Sequence, residues 1–165
     1  MRAYDGERDT LENGKYMTNL KIRADFFEVV SIKWELALCK YIEDAVERGE
    51  RIYIWAESSQ LAEYLDDLLW TYNESSFIPH ARWNDCDISE PVAIGTTPGN
   101  PNDAMRLVVA GRVDPEQLCT GIEDYSYLVD FVQKRDESLT MHARARWSAL
   151  SKAGVSVEFN AEADG

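Results

Sequence analysis

Short runs of β-branched and aromatic residues alternate with amphipathic helical stretches through the first half of this chain. Residues 24–31 and 51–56 have the composition of strands, while residues 34–48 and 58–70 carry apolar side chains at helical spacing. The joints between them are short, so consecutive strands are expected to be parallel and connected by right-handed crossovers. This alternation constrains the fold more than any other feature of the sequence.

The second half continues the same pattern less regularly. Further strands are predicted at residues 92–95, 106–111 and 125–132. Asp114 and Pro115 have the residue types that cap and begin a short helix, and a last helix is predicted from about Ser138, with the Ser138 hydroxyl as its cap. The expected fold class is therefore α/β, a three-layer α/β/α domain with a mostly parallel sheet of about five strands, Rossmann-like in layout.

The chain has 165 residues, of which 45% are apolar, enough for one domain with a real core. Residues 1–20 are polar and aperiodic and are expected to be a flexible extension, residues 21–160 a single domain, and residues 161–165 a disordered tail. No run of eighteen apolar residues and no leader peptide is recognisable. Three scattered cysteines show no pairing motif, so a reduced, cytoplasmic location away from membranes is expected.

The charge of the chain limits its partners. Lysine and arginine total 17 against 30 aspartates and glutamates, a net charge of −13, so strong direct binding to nucleic acid is not expected. The segment 134–152 differs, because it contains five cations and two anions and so carries +3. That local charge suits a short acidic peptide.

No motif for a cofactor, a metal or catalysis is evident. The turn at residues 31–34 contains no glycine, and the loop at 95–99 has two glycines but no following lysine. His80 and His142 are interpreted as structural, and adjacent Asp66 and Asp67 would point about 100° apart on a helix. No cofactor is therefore expected. A small nucleotide-binding enzyme stays open as an alternative, with its nucleotide near Ser31 or Gly95.

The last helix carries the strongest candidate for a binding site. Arg144 and Trp147 are one helical turn apart, which places a guanidinium beside an indole between the apolar face and water. Such a pair suits a ligand with both a carboxylate and an apolar group. The alternative interpretation is that Trp147 completes the core and Arg144 is an ordinary solvated charge.

Several short motifs resemble, in order, the chi subunit family of bacterial DNA polymerase III. They span residues 24–157, and the most specific is the tryptophan followed by Ser-Phe-Ile-Pro-His. The motifs are GERIYIW at 49–55, LLW at 68–70, SSFIPH at 75–80, PVAI at 91–94, LVDFV at 128–132, ARARW at 143–147 and KAG at 152–154.

The resemblance implies a non-enzymatic adaptor. Such proteins bind the acidic C-terminal tail of single-stranded DNA-binding protein and, through a psi subunit, the clamp loader. That tail ends in an aromatic residue with a free carboxylate, preceded by aspartates. The residues carried over for the tail pocket are Trp70, Phe77, His80, Val132, Arg144 and Trp147, and those expected to attract its aspartates are Lys134, Arg135 and Arg146. A generic domain for acidic peptides is the alternative.

Within that pocket, Arg144 is assigned to the terminal carboxylate, and Val132, Phe77 and Trp147 to the walls. The sequence departs from the family at Thr140, where chi proteins carry a lysine one turn before the key arginine. Lys134 or Arg135 is a candidate to replace that lost cation.

Overall fold

The structure, a computed structural model, describes residues 8–10, 16–18 and 21–162. Within the predicted N-terminal extension, it contains two short strands, β1 (Arg8–Thr10) and β2 (Tyr16–Thr18), that pair antiparallel. The other residues of that extension, and residues 163–165 of the predicted tail, lie outside the described part of the chain.

The remaining strands form one seven-stranded parallel sheet. Its order is β5-β6-β4-β7-β8-β3-β9. The predicted α/β class is confirmed, although the sheet is larger than five strands. The elements in chain order are β3 (Arg23–Val29), α1 (Trp34–Glu47), β4 (Ile52–Ala56), α2 (Ser59–Thr71), β5 (His80–Arg82), β6 (Val92–Gly95), β7 (Arg106–Ala110), α3 (Pro115–Gly121), β8 (Tyr127–Gln133), α4 (Glu137–Lys152) and β9 (Ser156–Asn160).

Within the seven-stranded sheet, the two strands that the sequence does not predict are the outermost ones. β5 has three residues and follows Pro79, and β9 mixes exposed polar residues with Val157 and Phe159. An edge strand has one neighbour and one solvated side, so it needs no continuous apolar run. Their sequence signal is correspondingly weak.

Two separate cores lie on the two faces of the sheet, which gives the predicted three layers. On one face, α1 and α2 bury Leu38 and Leu65 against the strands; on the other, α3 and α4 bury Leu118 and Leu150. Every residue of the central strand β4 is buried, as expected for a parallel strand covered on both sides. In the described part of the chain, no helix is long and apolar enough to cross a bilayer.

Polar caps fix where three of the helices begin. Ser58 accepts from the Leu61 amide, and Asp114 accepts from the Gln117 amide, at 3.2 and 3.0 Å. The predicted cap of the last helix is wrong: Asp136 caps α4, with its carboxylate 3.0 Å from the Leu139 amide. Ser138 lies inside the first turn.

Candidate functional site

The strand register places one set of side chains beneath α4. In a parallel sheet, paired residues point to the same face, and every second residue along a strand returns to that face. Asp130 of β8 pairs with Phe26 of β3, and Phe26 pairs with Phe159 of β9. Val132 pairs with Glu28 one row further along. Apart from the buried Asp130, these residues form the floor of a surface depression at the β9 edge of the sheet.

Helix α4 completes that depression as an open cleft with a volume of about 400 Å³. The floor contributes mostly apolar side chains and the helix adds a guanidinium. We call it the α4 cleft. Its lining residues are Phe26, Glu28, Val132, Lys134, Thr140, Ala143, Arg144, Trp147 and Phe159.

Arg144 and Trp147 lie side by side in this cleft, as their spacing predicts. Trp147 is half-buried and packs on Phe26, with ring centroids 5.0 Å apart. Arg144 is exposed, and within residues 21–162 its guanidinium makes no ion pair. Because no carboxylate of the described residues occupies it, this guanidinium is available to an external one. The structure therefore contains a cation next to an apolar slot.

Lys134 lies at the end of the cleft, where it forms an ion pair with Glu28 at 3.7 Å. Its side chain is largely exposed, so this pair is readily exchanged for another carboxylate. Arg135 is also exposed but lies outside the cleft, beside a neighbouring depression that includes Ser31 and Gln133. Of the two cations, only Lys134 lines the cleft.

The expectation that Arg146 attracts an external acidic peptide is wrong. Arg146 is 1% exposed, and its Nε and Nη2 donate to the Asp130 carboxylate at 2.6 and 3.0 Å. Its Nη1 donates to the Val113 carbonyl oxygen at 3.0 Å. Burial raises the pKa of the Asp130 carboxyl, and the guanidinium of Arg146 opposes that rise. Arg146 thus serves the core beneath α4.

Trp70, Phe77 and His80 do not join the cleft. His80 begins β5, at the opposite edge of the sheet from β9, four strand spacings or about 19 Å from β8. The Trp70 ring lies 4.5 Å from the His80 ring and 5.9 Å from the Phe77 ring, centroid to centroid. The predicted six-residue pocket is therefore two surfaces. We call Trp70, Phe77 and His80 the aromatic patch.

His80 anchors that patch from below. It is buried, its Nδ1 lies 2.7 Å from the Ile78 carbonyl oxygen, and its Nε2 lies 3.0 Å from an Asp66 carboxylate oxygen. The structural interpretation of His80 made from the sequence agrees with these contacts. In contrast, Trp70 is 53% exposed and Phe77 is 70% exposed.

Sequence reasoning missed three residues of the cleft: Phe26, Glu28 and Phe159. Phe26 and Glu28 belong to a strand that was predicted, and their two-residue spacing already places them on one face. The pattern of one strand does not show which of its faces lies under α4, because that depends on the register between β3 and β8. Phe159 was missed because β9 was not predicted.

The positions named for a possible nucleotide are filled by the chain itself. The Ser31 amide donates to the Glu162 carboxylate at 3.0 and 3.1 Å. Gly95 lies against the Tyr53 hydroxyl and the Trp83 ring, and a side chain there would collide with both. The two-glycine loop is thus a packing site for aromatic rings.

Glu57 and Arg112 occupy the crevice at the carboxyl ends of β4 and β7. Connections leave these two neighbouring strands in opposite directions, which is where ligands of α/β proteins usually bind. The Arg112 amide donates to Glu57 Oε1 at 2.6 Å, and its guanidinium donates to the Ser138 hydroxyl at 2.8 Å. This contact network closes the crevice with internal groups.

Comparisons with known proteins agree on one family. The family model described as DNA polymerase III chi subunit, HolC, matches residues 22–158. DNA polymerase III subunit chi of Pseudomonas aeruginosa is 31% identical over 88 residues, which cover 50% of this chain and 61% of that protein, less than two thirds of its length. The subunit chi of Escherichia coli K12 is 27% identical over 124 residues, covering 74% of this chain and 82% of that one.

A solved structure of a different protein has a related fold. The crystal structure of T4 UvsW matches with a TM-score of 0.62 over 86% of this chain and 42% of that chain. The two sequences are 6% identical over the match. Such a likeness shows a shared α/β architecture alone.

Proposed function

Because this chain belongs to the DNA polymerase III chi subunit family, we propose that it is a non-catalytic adaptor that joins single-stranded DNA-binding protein to the clamp loader in the bacterial cytoplasm. Family membership gives it an accessory role in DNA replication. The finer proposal concerns which surface holds which partner. The acidic C-terminal tail of single-stranded DNA-binding protein is assigned to the α4 cleft.

The observation that carries this assignment is the exposed guanidinium of Arg144 beside an apolar slot, on a chain whose net charge is −13. A terminal carboxylate accepts two parallel hydrogen bonds from a guanidinium, and a terminal aromatic ring fills the slot against Trp147 and Val132. Upstream aspartates then lie within electrostatic reach of Lys134 and Arg135. One small cleft thus satisfies each chemical group of the tail.

Lys134 tunes this binding through its pairing with Glu28. An acidic ligand brings negative charge close to the Glu28 carboxylate, which opposes binding, while Lys134 neutralises that carboxylate. Both groups are near water, so their influence falls as salt rises. Burying one ring and pairing one carboxylate supports affinity on the order of micromolar, since association entropy offsets much of the gain.

Fluorescence anisotropy with a labelled peptide tests the assignment. The peptide ends in a free aromatic residue preceded by aspartates, and its matched control is the C-terminal amide. We expect amidation or Arg144→Ala to weaken binding at least tenfold, and Arg144→Lys to recover it in part because lysine keeps the charge without the two-point geometry. Arg82→Ala, at the opposite sheet edge, serves as the control variant. Equal binding of the acid and the amide would refute the assignment.

The aromatic patch is the second surface, assigned to the clamp loader through its psi subunit. Two large rings, Trp70 and Phe77, are more than half exposed and touch each other at the β5 edge. Exposed aromatic rings in contact are typical of the energetic centre of a protein interface. An adaptor needs two separate surfaces, and this one lies across the sheet from the cleft.

A further inference from the structure

We infer that Phe159 is a specificity-determining wall of the α4 cleft, which selects an aromatic residue at the end of the bound peptide. This inference rests on the proposed function and adds a ligand-contacting residue to it. Phe159 lies on β9, the last strand, and is outside the sequence motifs discussed above. Three observations support this role: the register of β9, the exposure of the Phe159 ring and the contacts that hold β9 in place.

The register directs the Phe159 side chain toward α4. Val157 pairs with Ala24, and Phe159 pairs with Phe26. Val157, Ala24 and Phe26 all pack into the core on the α4 face. Since every second residue of a strand points to one face, Phe159 shares that face and lines the cleft.

The exposure of Phe159 leaves its ring accessible to a ligand. Half of the side chain, 50%, is exposed, whereas its strand neighbour Phe26 is 1% exposed. β9 is the outermost strand of the sheet, so none of the described strands lies beyond Phe159 to cover it. The ring contributes apolar surface to the cleft in addition to that of Trp147.

The end of β9 is held in place before any ligand binds. Glu162 accepts hydrogen bonds from the amides of Val30 and Ser31, and Arg23 forms an ion pair with Glu158. These contacts tie the middle of β9 to the start of β3, and the residues just after β9 to those just after β3. A ring on a strand that is already held in place loses little conformational entropy when a ligand binds, so less of the binding free energy is lost to ordering it.

The cleft thus offers aromatic rings from two elements, Trp147 from α4 and Phe159 from β9, with Phe26 on its floor. Aromatic pairs in tilted or offset contact are favoured beyond the area that they bury, by about two- to tenfold in affinity. A terminal phenylalanine gains this contribution, whereas leucine or alanine does not. Phe159 therefore makes the affinity of the cleft depend on which side chain ends the peptide.

A double-mutant cycle tests the inference. Wild type, Phe159→Ala and Phe159→Leu are titrated with three peptides that differ only in ending with phenylalanine, leucine or alanine, all with free carboxylates. We expect Phe159→Ala to weaken the phenylalanine peptide about tenfold and the alanine peptide less than twofold. Tyr64→Ala, which removes an exposed ring of α2 on the other face of the sheet, is expected to leave all three titrations unchanged. Thermal unfolding of each variant confirms that it is folded.

Two outcomes overturn the inference in distinguishable ways. If wild type prefers the phenylalanine peptide and Phe159→Ala keeps that preference in full, the role of Phe159 is wrong and the proposed function stands. If wild type binds none of the three peptides, the assignment of the tail to this cleft is wrong, and the role of Phe159 falls with it.

Discussion

The Arg146 guanidinium and the Asp130 carboxylate face each other beneath α4, with each residue 1% exposed and two hydrogen bonds between them. Two residues away on the same helix, Arg144 points into the cleft. One arginine of the ARARW motif therefore holds the helix to the sheet, and the other is left for a ligand. Substitutions at Arg146 and at Arg144 can therefore test the two roles separately.

Arg146→Ala is expected to lower the free energy of unfolding by about 3–5 kcal/mol, because it leaves the Asp130 carboxylate buried without its partner. Replacing both residues by apolar ones, Arg146→Met with Asp130→Leu, is expected to restore most of that loss. Urea denaturation followed by circular dichroism measures both. A double variant no more stable than Arg146→Ala would contradict the account of a buried pair.

Thr140→Lys is expected to tighten peptide binding about two- to fivefold at low salt, since it places a cation on the cleft one turn before Arg144. The gain is expected to shrink as salt rises toward 0.5 M. Met141→Lys adds the same charge to an exposed position of α4 outside the cleft and is the control. Titrations over a salt series compare the two variants, and equal gains would refute a local effect.

Phe77→Ala is expected to weaken binding of the psi subunit at least tenfold, about 1.4 kcal/mol or more, as removal of an interface aromatic usually does. Because Phe77 is 70% exposed, we expect a change in unfolding free energy below about 1 kcal/mol. Surface plasmon resonance with psi and with the acidic peptide separates the two surfaces. Arg144→Ala should give the reverse pattern, and loss of both partners in either variant would argue against separate surfaces.

Gly111→Ala is expected to destabilise the fold by about 1–3 kcal/mol, because Gly111 has a φ of +87° and an added Cβ would collide with the Glu57 carboxylate. Gly49→Ala is a matched control, since Gly49 has a φ of +81° with no atom near its Cβ position. Thermal denaturation of both variants separates the cost of the steric collision at Gly111 from the cost of a positive φ, which the two positions share. A smaller loss at Gly111 than at Gly49 would contradict the packing described there.

Glu162→Gln is expected to destabilise the attachment of β9 at neutral pH but not in acid. Hydrogen bonds from the Ser31 hydroxyl and from the Val30 and Ser31 amides lower the pKa of Glu162 below its ordinary value of 4.5. Between the lowered pKa and 4.5, unfolding takes up a proton, so the stabilisation is complete above pH 4.5 and is lost as pH falls through the lowered pKa.

The measurement for Glu162 is the difference in urea midpoint between wild type and variant at pH 7 and at pH 3. Glu63→Gln, an exposed carboxylate on α2, is the control and should show no such convergence. A difference that persists unchanged at pH 3 would show that the charge of Glu162 does not contribute.

Sequence patterns sufficed for the buried strands and for the helices, because continuous apolar runs and helical stripes report burial directly. β4 and α2 are examples, as is the cap at Asp114. The edge strands β5 and β9 were not predicted, since half-solvated strands need no apolar run. Ser138 was taken for a cap because serine suits that position, but Asp136 fills it two residues earlier.

For the candidate site, helical spacing was enough to bring Arg144 and Trp147 together. It did not show that Arg146 is buried, because the carboxylate that pairs with Arg146 belongs to Asp130, in a strand sixteen residues away. Motif resemblance grouped Phe77 with Val132, yet resemblance carries no strand order, and the order of the sheet separates them. The parts that failed all depend on contacts distant in sequence.

Six strand spacings of roughly 4.8 Å separate β5 from β9, so the two outer strands lie about 29 Å apart across an unbroken hydrogen-bonded ladder. A parallel sheet packed on both faces resists bending. If the two proposed partners bind at its ends, the protein acts as a stiff spacer: it keeps them a fixed distance apart, and tension applied by one is passed to the other through the backbone rather than through a hinge.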